Sequence, residues 1–205
     1  MLVGALILGL FAVAGTGLVA LTHDGTAERI AENERQSLLR SLHQIISPDA
    51  HDNDIYNDTI AVIDPLLGTN QPVMVYRARL GKLPVAAVLA SIAPDGYAGT
   101  IKLLVGINYD GSIAGVRVVS HKETPGLGDA IEAERSDWIL GFNGHSLREP
   151  QEERWKVKKD GGIFDQFSGA TITPRAIVAA VRNTLRYYQN NREALFAADE
   201  ESGNG

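Results

Sequence analysis

Residues 101–118, IKLLVGINYDGSIAGVRV, decide the fold. Apolar side chains alternate with other residues on both sides of Asp110-Gly111, at Ile101, Leu103, Val105, Ile107 and Tyr109 before it and at Ala114, Val116 and Val118 after it. Such alternation is typical of strands with one buried face, and an Asp-Gly turn between two such runs is a strong signal for a β-hairpin. We therefore predict two antiparallel strands here.

The segments on either side extend this hairpin into an α+β domain. Apolar runs at 73–79 and 85–92 predict two earlier strands, and residues 129–140 have a helical pattern. A further strand is expected before a last helix from Pro174 to about Asn190, with Thr173 as its N-cap. This order predicts one α+β domain that contains an antiparallel sheet and flanking helices.

The N-terminal 22 residues, MLVGALILGLFAVAGTGLVALT, contain no Asp, Glu, Lys or Arg. A helix of this length spans a hydrocarbon core of about 30 Å, so we predict a single-pass transmembrane anchor at 1–22. A cleaved signal peptide, with Ala12-Val13-Ala14 as a small-residue cleavage site, and a buried helix are the alternatives. The following charges are of both signs and leave the orientation open.

The rest of the chain is then divided into three parts. Residues 23–47 are predicted to form an amphipathic connecting helix, residues 48–195 the main domain, and residues 196–205 a disordered acidic tail.

Composition excludes several classes of function. Lys+Arg total 19 against 25 Asp+Glu, for a formal net charge of -6, which argues against a nucleic-acid partner. Because there is no cysteine, iron–sulfur clusters, cysteine-ligated zinc and thiol catalysis are excluded. Common hydrolase and nucleotide motifs are absent, and the acidic loop at 48–58 fails the EF-hand pattern. We expect no catalytic residues and no metal site.

The first candidate binding segment is the loop at 120–129, SHKETPGLGD, between a predicted strand and a predicted helix. Its two glycines would let backbone N–H groups approach an anion. A tight connecting loop without a ligand is the alternative interpretation. The candidate residues are Glu123, Thr124, Pro125, Gly126, Leu127 and Gly128.

The second candidate is DQFSGATITP at 165–174. Ser168, Thr171 and Thr173 lie just before a predicted helix N-terminus, where unpaired N–H groups and the helix dipole stabilise a phosphate. On these residues alone, phosphate binding and simple helix capping remain equally good interpretations.

These segments resemble a known family. Three segments behind one anchor are similar to the G subunit (RnfG or RsxG) of the bacterial Rnf (Rsx) ion-translocating electron-transport complex. They are GYAGTIKLLVGINYDGSIAGVRVVSHKETPGLGD, SDWILGF and FDQFSGATITPRAIVAAV. They are more distantly similar to the C subunit of the sodium-translocating NADH:quinone reductase. The D-x-x-[ST]-G-A-T pattern at 165–171 carries the resemblance most specifically.

The resemblance implies a cofactor and its attachment. In the family the last Thr of the pattern carries FMN through a phosphoester bond that a flavin transferase installs, which assigns the flavin to Thr171, with Ser168, Gly169 and Ala170 around it. The loop at 123–128 resembles the one that lies near the isoalloxazine ring. Trp138, Trp155, Phe164 and Phe167 are candidates to line that ring, with core packing as the alternative. For Asp165 we favour a role in recognition by the transferase.

The resemblance also implies a place in the cell and a role. The expected protein is a component of a bacterial inner-membrane complex, with its main domain on the periplasmic side, and it passes electrons among membrane and peripheral subunits. Its other partners would be the transferase and membrane lipid. The rivals are the quinone-reductase C subunit, a membrane-tethered module that binds a phosphorylated ligand noncovalently, and an envelope hydrolase.

Overall fold

The computed structural model describes residues 2–197, except for the side chains of residues 20–25, 27 and 28. It contains helix α1 (Leu2–Ile45), strands β1 (Thr59–Val62), β2 (Val73–Leu80), β3 (Leu83–Gly96), β4 (Gly99–Asn108) and β5 (Ile113–Ser120), and helix α2 (Ile172–Ala197). Four short 3-10 turns lie in the connection from β5 to α2. The predicted α+β class is confirmed. The predicted acidic tail lies, from residue 198 onward, outside the described residues.

The chain divides into two compact units, with the boundary between Arg40 and Ser41. In the first unit, Leu2–Val19 is an 18-residue stretch long and apolar enough to cross a membrane, by length and composition only. Its side chains are exposed. The predicted apolar helix is therefore present, and α1 continues to Ile45 with no break at residues 22–23.

The second unit is built on a five-stranded antiparallel meander in the order β1-β2-β3-β4-β5. The predicted hairpin is confirmed: Val105 pairs with Val116 and Ile107 with Ile113, and Gly111 takes the turn at a φ of +93°. Strand β1, which was not predicted because its few residues form no alternating pattern, pairs with β2.

Both faces of the sheet are covered. Buried residues of the strands share one core with α2, to which Ile177, Val181 and Leu185 contribute. On the other face Ile45 lies against two paired glycines of β4 and β5, Gly106 and Gly115. A Cβ on Gly106 would lie 2.0 Å from Ile45 Cγ2, so glycine is needed at that crossing.

The predicted helix at 129–140 is wrong. Two 3-10 turns, Asp129–Ile131 and Asp137–Phe142, replace it. Ser136 divides them, because its hydroxyl donates to the Ala130 carbonyl (2.6 Å) and accepts from the Trp138 N–H (3.2 Å). A serine that bonds to nearby backbone competes with a continuous helix.

The strand predicted before the last helix is also wrong, since the described connection holds only isolated bridges there, Val157 with Phe164 and Phe167 with Ala170. The turn at Gly161-Gly162 folds this segment too tightly for a strand: a Cβ on Gly162 would lie 1.8 Å from the Lys156 carbonyl oxygen. The last helix starts earlier than predicted, at Ile172.

Candidate cofactor site

A cavity of about 380 Å³ lies at the N-terminal end of α2. Three segments form it: the turn between β3 and β4, the loop after β5, and the residues leading into α2. Its lining residues are Tyr97, Glu123, Thr124, Leu127, Gly128, Gly169, Ala170, Thr171, Ile172 and Thr173.

The structure brings together most of the site residues predicted from the sequence. Seven of them line the cavity: Glu123, Thr124, Leu127, Gly128, Gly169, Ala170 and Thr171. The other three, Pro125, Gly126 and Ser168, do not line it. Tyr97 and Ile172 line it although they were not among the predicted binding residues, and Thr173, predicted as the helix cap in the candidate phosphate segment, lines it too. The two glycine-bearing segments, more than 35 positions apart in the chain, therefore form one cavity.

The loop glycines act differently from the prediction. Gly126 takes a φ of +77°, and its N–H donates to the Asp129 carboxylate at 2.8 Å. The Gly128 N–H donates to the Thr124 carbonyl at 2.9 Å. Both amides are thus used inside the loop, so these glycines shape the turn and do not present N–H groups to an anion.

The helix N-terminus is the better-placed anion site. The Thr171 carbonyl accepts from the Arg175 N–H at 3.3 Å, which makes Thr171 the N-cap in place of Thr173. Since Pro174 has no N–H, Ile172 and Thr173 supply the amides of the first turn. Such donors and the positive end of the helix dipole stabilise a phosphate held at a helix N-terminus.

The three hydroxyl side chains before and within this turn differ in availability. Ser168 is exposed and outside the cavity lining. Thr173 is fully buried, and its hydroxyl donates to Glu123 Oε2 in a very short hydrogen bond. Thr171 is half-buried and lines the cavity. Among these three, Thr171 alone faces the cavity without being committed to the buried bond.

Charge in the cavity is sparse. Glu123 is the one charged side chain among the described residues that line it. Two cations in this part of the chain are paired on the surface: Arg175 of α2 binds Asp160 through two contacts of 2.6 Å, and Lys158 Nζ in the connection lies 2.7 Å from Asp165. The Arg175 hydrogen bond holds the pKa of Asp160 below its usual value and raises the pKa of Arg175.

The aromatic residues proposed as ring contacts lie elsewhere. Phe142 and Phe164 stack with ring centroids 4.5 Å apart, and Trp155 is buried beside them. Trp138 donates its indole N–H to the Asp165 carbonyl at 2.8 Å and contacts Phe167. None of the four candidates lines the cavity. They pack the connection onto the core.

Large side chains with apolar surface are exposed at the cavity. Tyr97 is 68% exposed, and Leu127 and Ile172 are about half exposed, although all three are large. A flat apolar group held in the cavity would cover this surface. Tyr97 was missed because it lies in a short turn with no binding motif.

Two family models match this chain. Residues 96–186 match the FMN-binding domain, and residues 1–45 match the RnfG N-terminal region. The first match begins at the β3–β4 turn and ends within α2, so it contains every residue that lines the cavity. Fold and site thus define an FMN-binding-domain protein with an apolar N-terminal helix.

Individual relatives identify the family more narrowly than the two domain models do. A protein of Pseudomonas aeruginosa named as the G subunit of the ion-translocating oxidoreductase complex is 51% identical over 204 residues, covering 99% of this chain and 95% of the relative. The protein of the same name from Pseudoalteromonas atlantica is 51% identical over 197 residues (96% and 92%), and that of Vibrio cholerae 49% over 190 (93% and 91%). The chain belongs to this family, the G subunits of ion-translocating oxidoreductase complexes.

Proposed function

We propose that this chain carries FMN covalently on Thr171 and passes electrons within an ion-translocating oxidoreductase complex. The single observation that carries the proposal is the position of Thr171: it caps α2 and lines a cavity formed by the two sequence segments that carry the family resemblance. Family membership supports FMN as the cofactor. The flavin supplies the electron transfer when it is bound, and the chain's residues hold and orient it.

The charges in the cavity favour a covalent link over a noncovalent phospholigand. A phosphate monoester carries about two negative charges at neutral pH, and sites that hold one by contacts alone commonly use Arg or Lys. Among the described residues, no Arg or Lys lines this cavity. A phosphate bonded to both Thr171 and the flavin ribityl chain keeps a single charge, which the helix N-terminus suits, and the bond itself holds the flavin in place.

A threonine hydroxyl is a weak nucleophile at neutral pH. Within the described part of the chain, neither a histidine nor a lysine lines the cavity to activate it. We therefore propose that a separate flavin transferase forms the bond, and that the chain contributes no general acid or base to electron transfer. The other proposed partners are the remaining subunits of the complex and membrane lipid around Leu2–Val19.

We further propose that residues 41–197 face the periplasm of a bacterial inner membrane. The family resemblance supports this side, and a cysteine-free chain is compatible with an oxidising compartment. A covalent tether is also useful there, because a dissociated flavin would be lost from the cell.

The test is co-expression of the full chain with its flavin transferase, followed by denaturation and mass measurement. We expect a gain of one FMN minus one water that survives denaturation. Thr171→Ala should lose this gain, and Ser168→Ala, which removes a hydroxyl from the same motif outside the cavity, should keep it. An unmodified wild-type chain, beside a control substrate that the same transferase does modify, contradicts the proposal. FMN that is bound but released on denaturation would favour the noncovalent module.

A further inference from the structure

A buried carboxyl group lines the cavity, and the proposed bond between FMN and Thr171 does not explain its role. Glu123 is 4% exposed. Its Oε1 accepts from the Ala98 N–H at 2.9 Å, and its Oε2 accepts from the Thr173 hydroxyl. Both oxygens accept, which is the pattern of an ionised carboxylate.

Glu123 joins three separate parts of the chain. Ala98 lies in the turn between β3 and β4, Glu123 in the loop after β5, and Thr173 in the first turn of α2. These are the three segments that form the cavity. An acidic group near a helix N-terminus is also electrostatically favourable. The side chain therefore fixes the geometry in which Thr171 is presented.

Glycines make room for this carboxylate. A Cβ on Gly128 would lie 2.9 Å from the Glu123 Cβ and 3.0 Å from Oε2. A Cβ on Gly96 would lie 2.9 Å from Glu123 Oε1, and closer still, at 2.2 Å, to the Gly99 carbonyl oxygen of the same turn. The pocket around the carboxylate thus has space for Glu123 and for little else.

The backbone of Glu123 is held as well. Its N–H donates to His121 Nδ1 at 3.0 Å, and His121 Nε2 lies 2.7 Å from Glu132 Oε1. The loop is therefore anchored at both the main chain and the side chain of a single residue.

We propose that Glu123 is a positioning residue that also sets the reduction potential of the cofactor in this cavity; this rests on the proposed function. Glu123 has almost no solvent around it and is the one charged side chain among the described residues of the cavity lining. Each electron added to a flavin adds negative charge unless a proton accompanies it. A buried negative charge nearby opposes that step more than an exposed one would, because solvent screens it little. Glu123 therefore lowers the potential.

The redox test uses Glu123→Gln in the full chain, co-expressed with the transferase. Gln can keep the Ala98 contact through its carbonyl oxygen, while its amide donates to the Thr173 hydroxyl oxygen. The charge is removed and the contacts are kept. The matched control is Glu134→Gln, which removes the same charge from an exposed position outside the cavity.

We expect the midpoint potential at constant pH and salt to move to a more positive value in Glu123→Gln and to move less in Glu134→Gln. Equal potentials for wild type and Glu123→Gln, with FMN attached in both, would overturn the redox assignment. A wild-type chain that takes no FMN would instead defeat the proposed function, so the two failures are distinguishable.

The positioning test needs no flavin. In Glu123→Ala both contacts are lost, so amide hydrogen exchange at Ala98 and at Arg175, whose N–H donates to the Thr171 carbonyl, should be faster than in wild type, with Gln restoring slow exchange. Unchanged exchange in Glu123→Ala would overturn the positioning role. A Glu123→Gln chain that takes no FMN yet exchanges as wild type would show that the carboxylate serves the transferase, which also overturns the proposal.

Discussion

Asp165, the first residue of the D-x-x-[ST]-G-A-T pattern, does not line the cavity. Its side chain is 67% exposed and pairs with Lys158, which is itself mostly exposed. Such surface pairs contribute about 0–1 kcal/mol, so a structural need for this carboxylate is small. Its exposure on the segment leading to Thr171 supports our hypothesis that the transferase recognises the Asp165 side chain.

We therefore predict that Asp165→Ala abolishes FMN attachment while leaving the thermal unfolding of the flavin-free chain nearly unchanged. Lys158→Ala is the matched control, because it breaks the same ion pair and keeps the carboxylate. It should still be modified when the mass is measured after co-expression. Full attachment in Asp165→Ala counts against the hypothesis, and equal loss in both variants would assign the effect to the ion pair.

Tyr188 is a second residue with an unusual environment. It is 1% exposed, and its hydroxyl has no hydrogen-bond partner among the described residues. Burial raises its pKa well above the ordinary value near 10. A pKa raised in the folded state contributes stability that is fully present below about pH 10 and is lost as the pH rises above it.

Tyr188→Phe should therefore flatten the loss of unfolding free energy above about pH 10. At pH 7 it should be neutral or stabilising by up to about 1 kcal/mol, because an unpaired buried hydroxyl is removed. Urea unfolding at several pH values measures both effects. Tyr97→Phe, which removes a phenol that is 68% exposed, is the control. A loss of about 2 kcal/mol or more at pH 7 would show that the hydroxyl has a partner.

At the scale of elements, the crossing of the end of α1 over the sheet depends on Gly106, which pairs with Gly115. Gly106 does not lie at positive φ, so it is required for space and not for backbone conformation, whereas a Cβ on Gly115 would be in ordinary van der Waals contact with Ile45 at 3.4 Å. The sequence pattern alone does not predict this contact, because a glycine within a regular strand gives no indication of what packs against it.

Gly106→Ala should destabilise the domain by about 1–3 kcal/mol, the usual range for overpacking, because the new methyl would overlap Ile45. Ile45→Ala in the same chain should recover part of that loss relative to the two single variants. Gly141→Ala is the control, since its Cβ would have no atom within 4 Å. The measurement is the urea midpoint, and a Gly106→Ala chain as stable as Gly141→Ala would contradict the packing argument.

At the scale of the whole molecule, the unit boundary at Arg40–Ser41 places the last residues of α1 with the main domain. Leu42, Ile45 and Ile46 are buried there. The helix predicted at 23–47 is therefore not a unit of its own: its final residues belong to the core of the domain that follows.

We predict that a chain starting at Ser41 folds cooperatively and accepts FMN from the transferase, and that a chain starting at Asp49 does not. The second chain lacks three buried aliphatic side chains, each of which contributes about 2–5 kcal/mol when deleted from a core. Circular dichroism with urea unfolding distinguishes the two. Equal stability of both chains would show that the end of α1 is dispensable.

Local pattern by itself determined the apolar helix, the 101–118 hairpin, the α+β class and the two candidate binding segments, because alternation, turn residues and charge depletion are properties of neighbouring residues. Tertiary structure decided the rest. Thr171, and not Thr173, caps α2, since Thr173 is drawn into a buried bond with Glu123 from a distant loop. Tyr97 lines the cavity and the two tryptophans do not, because the β3–β4 turn and the packing of the connection decide which side chains lie there. Such contacts form between residues far apart in the chain, so no local sequence pattern predicts them.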